Sequence, residues 1–304
     1  MHSLFNFQFG DFAETNPNWF DWFSLVASFF ISILSVVGGF LIATEIYKRG
    51  RKDKEKEERE LQASEVRLLK NSLSQLKAAV ENQIENLERY IADRNFSLQF
   101  NSGVHADFLH FVNIRYLYKD IGIDNKVQIN KLNKLLSSLY ELGDFRVSLR
   151  DELRSYMGKY NFHEEKFYSY RKLLYTKYFE FCNQRGKDFI LENGIKRWRF
   201  SDDDHFMINY TETRNKIFND NEVMAKNGLK DRDRLVERFV IPLINNSADF
   251  IPEDYNAIEL TDIANEVNSA YIDMEHVTNS HFEVMKSYLG NLQDVKAKID
   301  EFLN

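Results

Sequence analysis

Residues 22–44 read WFSLVASFFISILSVVGGFLIAT, 23 consecutive residues without a charge, bracketed by Asp21 and Glu45. As a helix rising about 1.5 Å per residue the stretch is roughly 34 Å long, slightly more than the ~30 Å hydrocarbon core of a bilayer. Core helices of soluble domains are amphipathic and seldom stay uncharged for this length. Trp19, Phe20 and Trp22 stand at one end and Tyr47 at the other, where amphipathic rings favour the headgroup layer. A cleaved signal peptide needs a basic leading region and a shorter apolar core, whereas residues 1–21 hold no Lys or Arg. The pattern predicts a transmembrane helix over residues 19–47.

Charge sets its direction. Asp11, Glu14 and Asp21 precede the span, and Lys48, Arg49, Arg51, Lys52 and Lys54 follow it. Basic residues stay on the cytoplasmic side, so the N-terminus is expected outside and the bulk of the chain inside. The same five cations are candidate contacts for anionic lipid headgroups, each worth about 1 kcal/mol near the surface. Within the span Ser24, Ser28, Ser32, Ser35, Gly39 and Ala43 recur at steps of 4, 4, 3, 4 and 4. Small residues let helices approach closely in lipid, so this stripe is read as a packing face for another copy or a partner membrane protein. Chance alignment of residues common in spans is the bland alternative. Ahead of the span, residues 1–18 alternate Phe5, Phe7 and Phe9 with polar residues, as a short external segment in the headgroup layer or a frayed end does.

The chain has 304 residues, 43% hydrophobic and 29% charged, with only 3 Pro and 12 Gly. That supports one sizeable core and long helices with few breakers. The net charge of −7 with mixed signs argues against a dominant nucleic-acid-binding face. Cys182 stands alone, so no internal disulfide can form. No zinc-type spacing occurs, so neither a metal nor a cofactor is called for. Asn95, Asn209 and Asn245 head glycosylation sequons that have no meaning on a cytoplasmic body.

Residues 48–95 continue without a strong breaker apart from Gly50. Val66, Leu69, Leu73, Leu76 and Val80 alternate steps of 3 and 4, and the series resumes at Ile84, Leu87 and Ile91 after one extra step of 4. That reads as a coiled-coil seam with one stutter, on a basic juxtamembrane stalk helix. Residues 258–304 show the mirror pattern, from Leu260 through Val267, Met274, His281 and Leu292 to Phe302. The two long helices are expected to pack together or to self-associate jointly. Between them, residues 96–257 predict a helical cytoplasmic body with segments near 105–120, 126–142, 144–158, 162–183, 203–220 and 229–247. Breaks are placed at 121–125, Gly143–Asp144, Gly158, 192–194, Pro242 and Pro252, and strands are nearly absent. The fold class is all-α, with a single transmembrane helix, a stalk and a helical bundle.

Chemistry-bearing motifs are sparse. Arg199 and His205 flank RFSDDDH, which resembles the Arg-x4–6-His motif of HEPN ribonucleases, all-helical proteins whose paired sites bind and polarise a scissile phosphate. The polar residue usual after that Arg is replaced by Phe200, and Asp202, Asp203 and Asp204 read as a helix N-cap rather than a cation cage. His105 and His110, like His276 and His281, are five apart, so they sit about 140° apart around a helix and share no metal-binding face. His281 falls on the seam, as a register pin, a pH-sensitive point or a partly solvated packing residue. Phe167, Tyr170, Leu174, Tyr178 and Phe181 fall on one helical face, which favours core over base stacking. No phosphate-binding loop, dinucleotide fingerprint, nucleophile elbow or HExxH pattern occurs, so nothing calls for an enzyme.

The layout of VVGGFLIATEIYKRGRKDKEKEERELQ, an apolar span running into a Glu/Lys/Arg-rich helix before an aromatic-rich body, resembles bacterial membrane-anchored phage abortive infection proteins. The resemblance covers under a third of the chain and carries no functional residues. It implies a defence effector or sensor at a bacterial inner membrane, and the small-residue stripe and the heptads add the expectation that it oligomerises through its span and coiled-coil helices. The alternatives are a non-enzymatic scaffold or regulatory subunit that recruits a cytoplasmic protein to a membrane complex, and a membrane-tethered HEPN-like ribonuclease.

Overall fold

A computed structural model describes residues 19–94, 97–122, 124–192, 194–226 and 228–304. The segment 1–18 with Phe5, Phe7 and Phe9, and the sequon at Asn95, lie outside the described residues. The described chain is mostly helical and divides into two units, Met1–Leu69 with Val112–Asn125 and Lys70–Phe111 with Lys126–Asn304.

In the first unit, helix α1 (Trp19–Asp93) runs unbroken from the apolar stretch through Gly50 into the charged segment. One Gly costs about 1 kcal/mol in a helix, too little to stop one flanked by Glu, Lys and Arg. Ion pairs one turn apart, Arg49 to Glu45 at 3.2 Å and Arg51 to Glu55 at 3.0 Å, straddle it. This helix is long and apolar enough to cross a membrane, and none of its most apolar part is buried in the protein. Helix α2 (Ile114–Ile121) is capped by the Asn113 side chain, which accepts from the Arg115 N–H. Glu65 accepts from the Asn113 N–H at 2.9 Å, and Gln62 donates to Asp120 at 3.2 Å. The helix expected over 105–120 is therefore shorter. A 3₁₀ turn (Asp107–His110) precedes it, and the Asn113 cap, competing for backbone N–H groups, starts a new helix.

The second unit is built on two antiparallel helices, α3 (Lys126–Arg185) and α7 (Tyr255–Leu303). Their register is marked by Lys131–Glu301 at 3.2 Å, Phe145 edge-on to Tyr288, Lys166–Glu266 at 2.7 Å and Lys177–Glu259 at 2.7 Å. The breaks expected at Gly143 and Gly158 do not occur, since α3 spans 60 residues. Both glycines lie on the exposed face, at about 1 kcal/mol each. Opposite them Leu142, Phe145, Leu149 and Tyr156 are buried, each worth roughly 1.5–3 kcal/mol. Packing outweighs propensity.

The α1 residues of this unit lie antiparallel to the end of α7. Lys77 pairs with Asp300, Glu81 with Lys296, and Arg94 with Asn279. The two long helices thus meet within one chain. Toward the other end of α3 and α7, helices α4 (His205–Phe218), α5 (Arg232–Leu235) and α6 (Ile241–Ala248) close a core around Phe167, Leu174, Phe181, Met207, Val240 and Leu260. The aromatic stripe of α3 is core: Phe167, Leu174, Tyr178 and Phe181 are buried and Tyr170 packs against them. Instead of breaking at Pro242, the chain passes from α5 through a π-helical turn (Val236–Val240) into α6. The wider turn accommodates a ring that cannot donate an N–H.

Two short hairpins are the strands of an otherwise helical body among the described residues. β1 (Asp188–Glu192) pairs antiparallel with β2 (Ile195–Arg199), from Asp188 opposite Arg199 to Glu192 opposite Ile195. β3 (Met224–Ala225) pairs with β4 (Gly228–Leu229). Residue 229 therefore ends a strand rather than opening a helix. In the sequence Asn193-Gly194 sits between β-prone residues, the strongest short hairpin signal. Gly194 has φ +79°, a left-handed conformation that glycine adopts without cost.

Candidate functional site

A buried polar cluster forms where α1, α3 and α7 of the second unit converge. His281 of α7 is buried, 2% exposed, rather than partly solvated. Its Nε2 lies 2.8 Å from the Tyr90 hydroxyl of α1, and its Nδ1 lies 3.0 Å from Glu152 Oε1 of α3. An ionised carboxylate only accepts, so Nδ1 carries the proton and Nε2 accepts the Tyr90 O–H. Tyr156 stacks on the ring, centroids 4.0 Å apart and planes 6° apart. Burial lowers the His281 pKa from its ordinary value, while the hydrogen bond to Glu152 opposes that fall. Burial pushes the Tyr90 hydroxyl up to about 12. A cavity of about 230 Å³ lies alongside, lined in part by Glu152, Tyr156, Lys159, His276 and His281. With both nitrogens engaged and one face covered, the imidazole offers a substrate no free atom. What it can do is gain a proton.

Sequence periodicity placed His281 but missed its partners. Counting only apolar residues puts a stutter at Ile84. The 3–4 spacing instead continues without interruption from Val80 through Gln83 and Leu87 to Tyr90. Gln83 and Tyr90 are 1% and 2% exposed, and Ile91 is half-buried. Gln83 is satisfied by the loop that follows α1: it donates to the Gln99 carbonyl at 3.2 Å and accepts from the Asn101 N–H at 2.7 Å. Leu69, Leu73, Leu76, Val80, Ile84 and Leu87 are buried, and Val66 is half-buried.

A more open cleft of about 370 Å³ joins the end of α1 to α3, α5 and α7. Three cations, Arg94, Lys230 and Arg232, and three anions, Asp231, Asp233 and Glu275, line the cleft. Arg232 is held by Glu164 at 2.6 Å and the Tyr160 hydroxyl at 3.1 Å. Its charges are balanced, so it concentrates no potential of either sign.

Arg199 and His205 are not brought into one helix. Arg199 ends β2 opposite Asp188, and His205 opens α4. Asp204 is the α4 N-cap, accepting from the Met207 N–H. It also takes a bidentate contact from Arg185, at 2.7 and 2.9 Å, while the same guanidinium reaches Asp254, the N-cap of α7, at 2.6 Å. One arginine thus clamps the starts of two helices. Among the described residues no group of three or more His, Cys, Asp or Glu is placed to hold a metal ion. Cys182 is buried, and burial raises its thiol pKa.

The small residues of the apolar stretch, Ser24, Ser28, Ser32, Ser35, Gly39 and Ala43, are all exposed. Ser24 and Ser32 return their hydroxyls to the carbonyls of Asp21 and Ser28, which satisfies them without a partner helix. Lys48, Arg49, Arg51, Lys52 and Lys54 are exposed on the following turns. Comparison of the chain with protein-family models, with curated proteins and with solved structures returns no match.

Proposed function

We propose that the protein is a single-pass membrane protein, inserted by residues 22–44 with its N-terminus outside, whose helical body works in the cytoplasm of a bacterium as an anti-phage defence effector or sensor. The observation that supports insertion is the unburied, uncharged stretch of α1 bordered by five cations. The defence role rests on the resemblance of that layout to abortive infection proteins. Self-association through the small-residue face of the span belongs to the same reading. The coiled-coil seam supports it less, because residues 73–87 of that seam are already buried in the single chain. The cations following the span would hold anionic headgroups.

Two measurements test this. Ser3→Cys should react with an impermeant maleimide from outside intact cells, and Glu57→Cys should not; the native Cys182 is buried and gives no background. The opposite labelling pattern would overturn the orientation. Expression under phage challenge should lower plating efficiency on part of a broad panel, and unchanged plating throughout would remove the defence role.

The second reading is a scaffold that recruits a cytoplasmic partner. It is favoured by the exposed apolar residues of the β1–β2 hairpin, Phe189, Ile190 and Leu191.

A further inference from the structure

Beside the buried His281 cluster, the groove between α3 and α7 opens into the cavity of about 230 Å³. The contacts that set the register of the two helices also order its walls. Glu152 lies opposite His281, Tyr156 opposite Thr278 and His163 opposite Asp273. Lys159 of α3 therefore falls near His276 of α7, and Ser155 near Ser280, one turn closer to Glu152. Glu152 and Lys159 are seven residues apart, so they share one face of α3 and stand about 10 Å apart along its axis.

The polar groups of this cavity have spare capacity. Among the described residues the side chains of Lys159, His276, Ser155 and Ser280 make no hydrogen bond or ion pair. Glu152 engages His281 through Oε1, which leaves Oε2 able to accept. The charges just outside are already matched: Asp273 lies 3.3 Å from His163, and Asp151 lies 3.6 Å from Arg154. Val277 and Val284 add apolar surface to the α7 wall.

Charge and spacing narrow what fits. A lone anion drawn to Lys159 is opposed by Glu152, and a lone cation drawn to Glu152 is opposed by Lys159. A molecule that carries both charges, spaced as the cavity spaces its own, gains at each end. An α-amino acid holds its two charges too close together to reach both ends.

We propose that this cavity binds a small linear zwitterion, an ω-amino carboxylate whose ammonium and carboxylate are separated by a methylene chain. Lys159, the His276 N–H and the two serine hydroxyls donate to the carboxylate, and the second oxygen of Glu152 accepts from the ammonium. The methylenes lie along Val277 and Val284. His281 itself contributes no atom. The site stands independently of membrane orientation, of defence and of the scaffold reading.

The test uses the full chain in dodecylmaltoside micelles and ε-aminocaproate, followed by saturation-transfer difference NMR. Saturable binding is expected, with glycine, caproate and hexylamine each weaker by about tenfold or more. Lys159→Glu should weaken ε-aminocaproate binding by about tenfold or more and turn the preference to hexamethylenediamine, which carries an ammonium at each end. Ser280→Leu, which fills the cavity from the opposite helix, should remove binding while the melting temperature stays near that of the wild type, because Ser280 is exposed. Should Lys159→Glu lower the melting temperature, Lys159→Ala removes the cation alone and reads the same contact. Absence of saturable binding to the wild type overturns the proposal. So does equal binding of glycine, caproate or hexylamine, or binding that neither a Lys159 variant nor Ser280→Leu alters.

Discussion

Protonating His281 would reverse a hydrogen bond at the junction of three helices. Nε2 now accepts from Tyr90; as imidazolium it could only donate, and the Tyr90 hydroxyl would have to turn its proton elsewhere in a buried site. Tyr90 faces the ring from α1, and Glu152 and Tyr156 face it from α3. Because burial depresses the folded-state pKa, the unfolded chain binds more protons below the ordinary value of 6.5. Stability from this residue is therefore complete above that pH and is lost as pH falls below it, by at most about 1.4 kcal/mol per unit. His281→Gln keeps a donor and an acceptor but cannot titrate. In detergent the wild type should lose more melting temperature than the variant between about pH 7.5 and about pH 5.5. Parallel pH profiles would show that His281 does not set the acid sensitivity. Nothing in the one-dimensional spacing marks Glu152 as the partner, because its identity depends on the register of α3 against α7.

Among the elements, α3 shows how tertiary packing overrides local breakers. Gly143 and Gly158 have nothing within 4 Å of a Cβ, and both are helical. Gly143→Ala and Gly158→Ala should therefore each stabilise the protein by about 0.5–1 kcal/mol, read as a raised melting temperature. A fall at either site would mean that the helix needs to bend there. Gly186 is the contrasting case, since its missing Cβ makes room for Trp198 and for the Cys182 carbonyl. The three glycines look alike in the sequence, and only their neighbours separate two replaceable ones from one that the hairpin depends on. The hairpin itself could have been anticipated from Asn193-Gly194. Its second strand carries Lys196 on one face and Arg197 and Arg199 on the other, and this masks the apolar alternation of a strand packed on one side.

For the whole molecule, the open question is assembly. The seam of α1 that suggested a partner chain is answered inside the chain by α7 and by the loop at Gln99 and Asn101. Among the described residues the small-residue face of the apolar stretch 22–44 has no such answer: Ser32, Ser35 and Gly39 are exposed, and Gly39 has open space around it. Dispersion and close backbone approach drive helix association in lipid, and bulky side chains prevent it. On the proposed self-association through this face, replacing Ser32, Ser35 and Gly39 together with Leu should lower the detergent-extracted mass to that of one chain, measured by light scattering. An unaltered mass would place any assembly elsewhere.

Chain composition and periodicity by themselves determined that the protein is mostly helical, that one stretch near the N-terminus is long and apolar enough to cross a membrane, and that its long helices each present one buried stripe. These properties follow from local chemistry: uncharged length, helix propensity and a 3–4 repeat. Tertiary structure alone decided which stripes face one another, that Gly143 and Gly158 do not end helices, that Arg185 joins the caps of α4 and α7, and that Tyr90, Glu152 and His281 meet. Those outcomes depend on burial and on hydrogen-bond partners from 19 positions apart, for Arg185 and Asp204, to 191 apart, for Tyr90 and His281, beyond the reach of a 3–4 repeat.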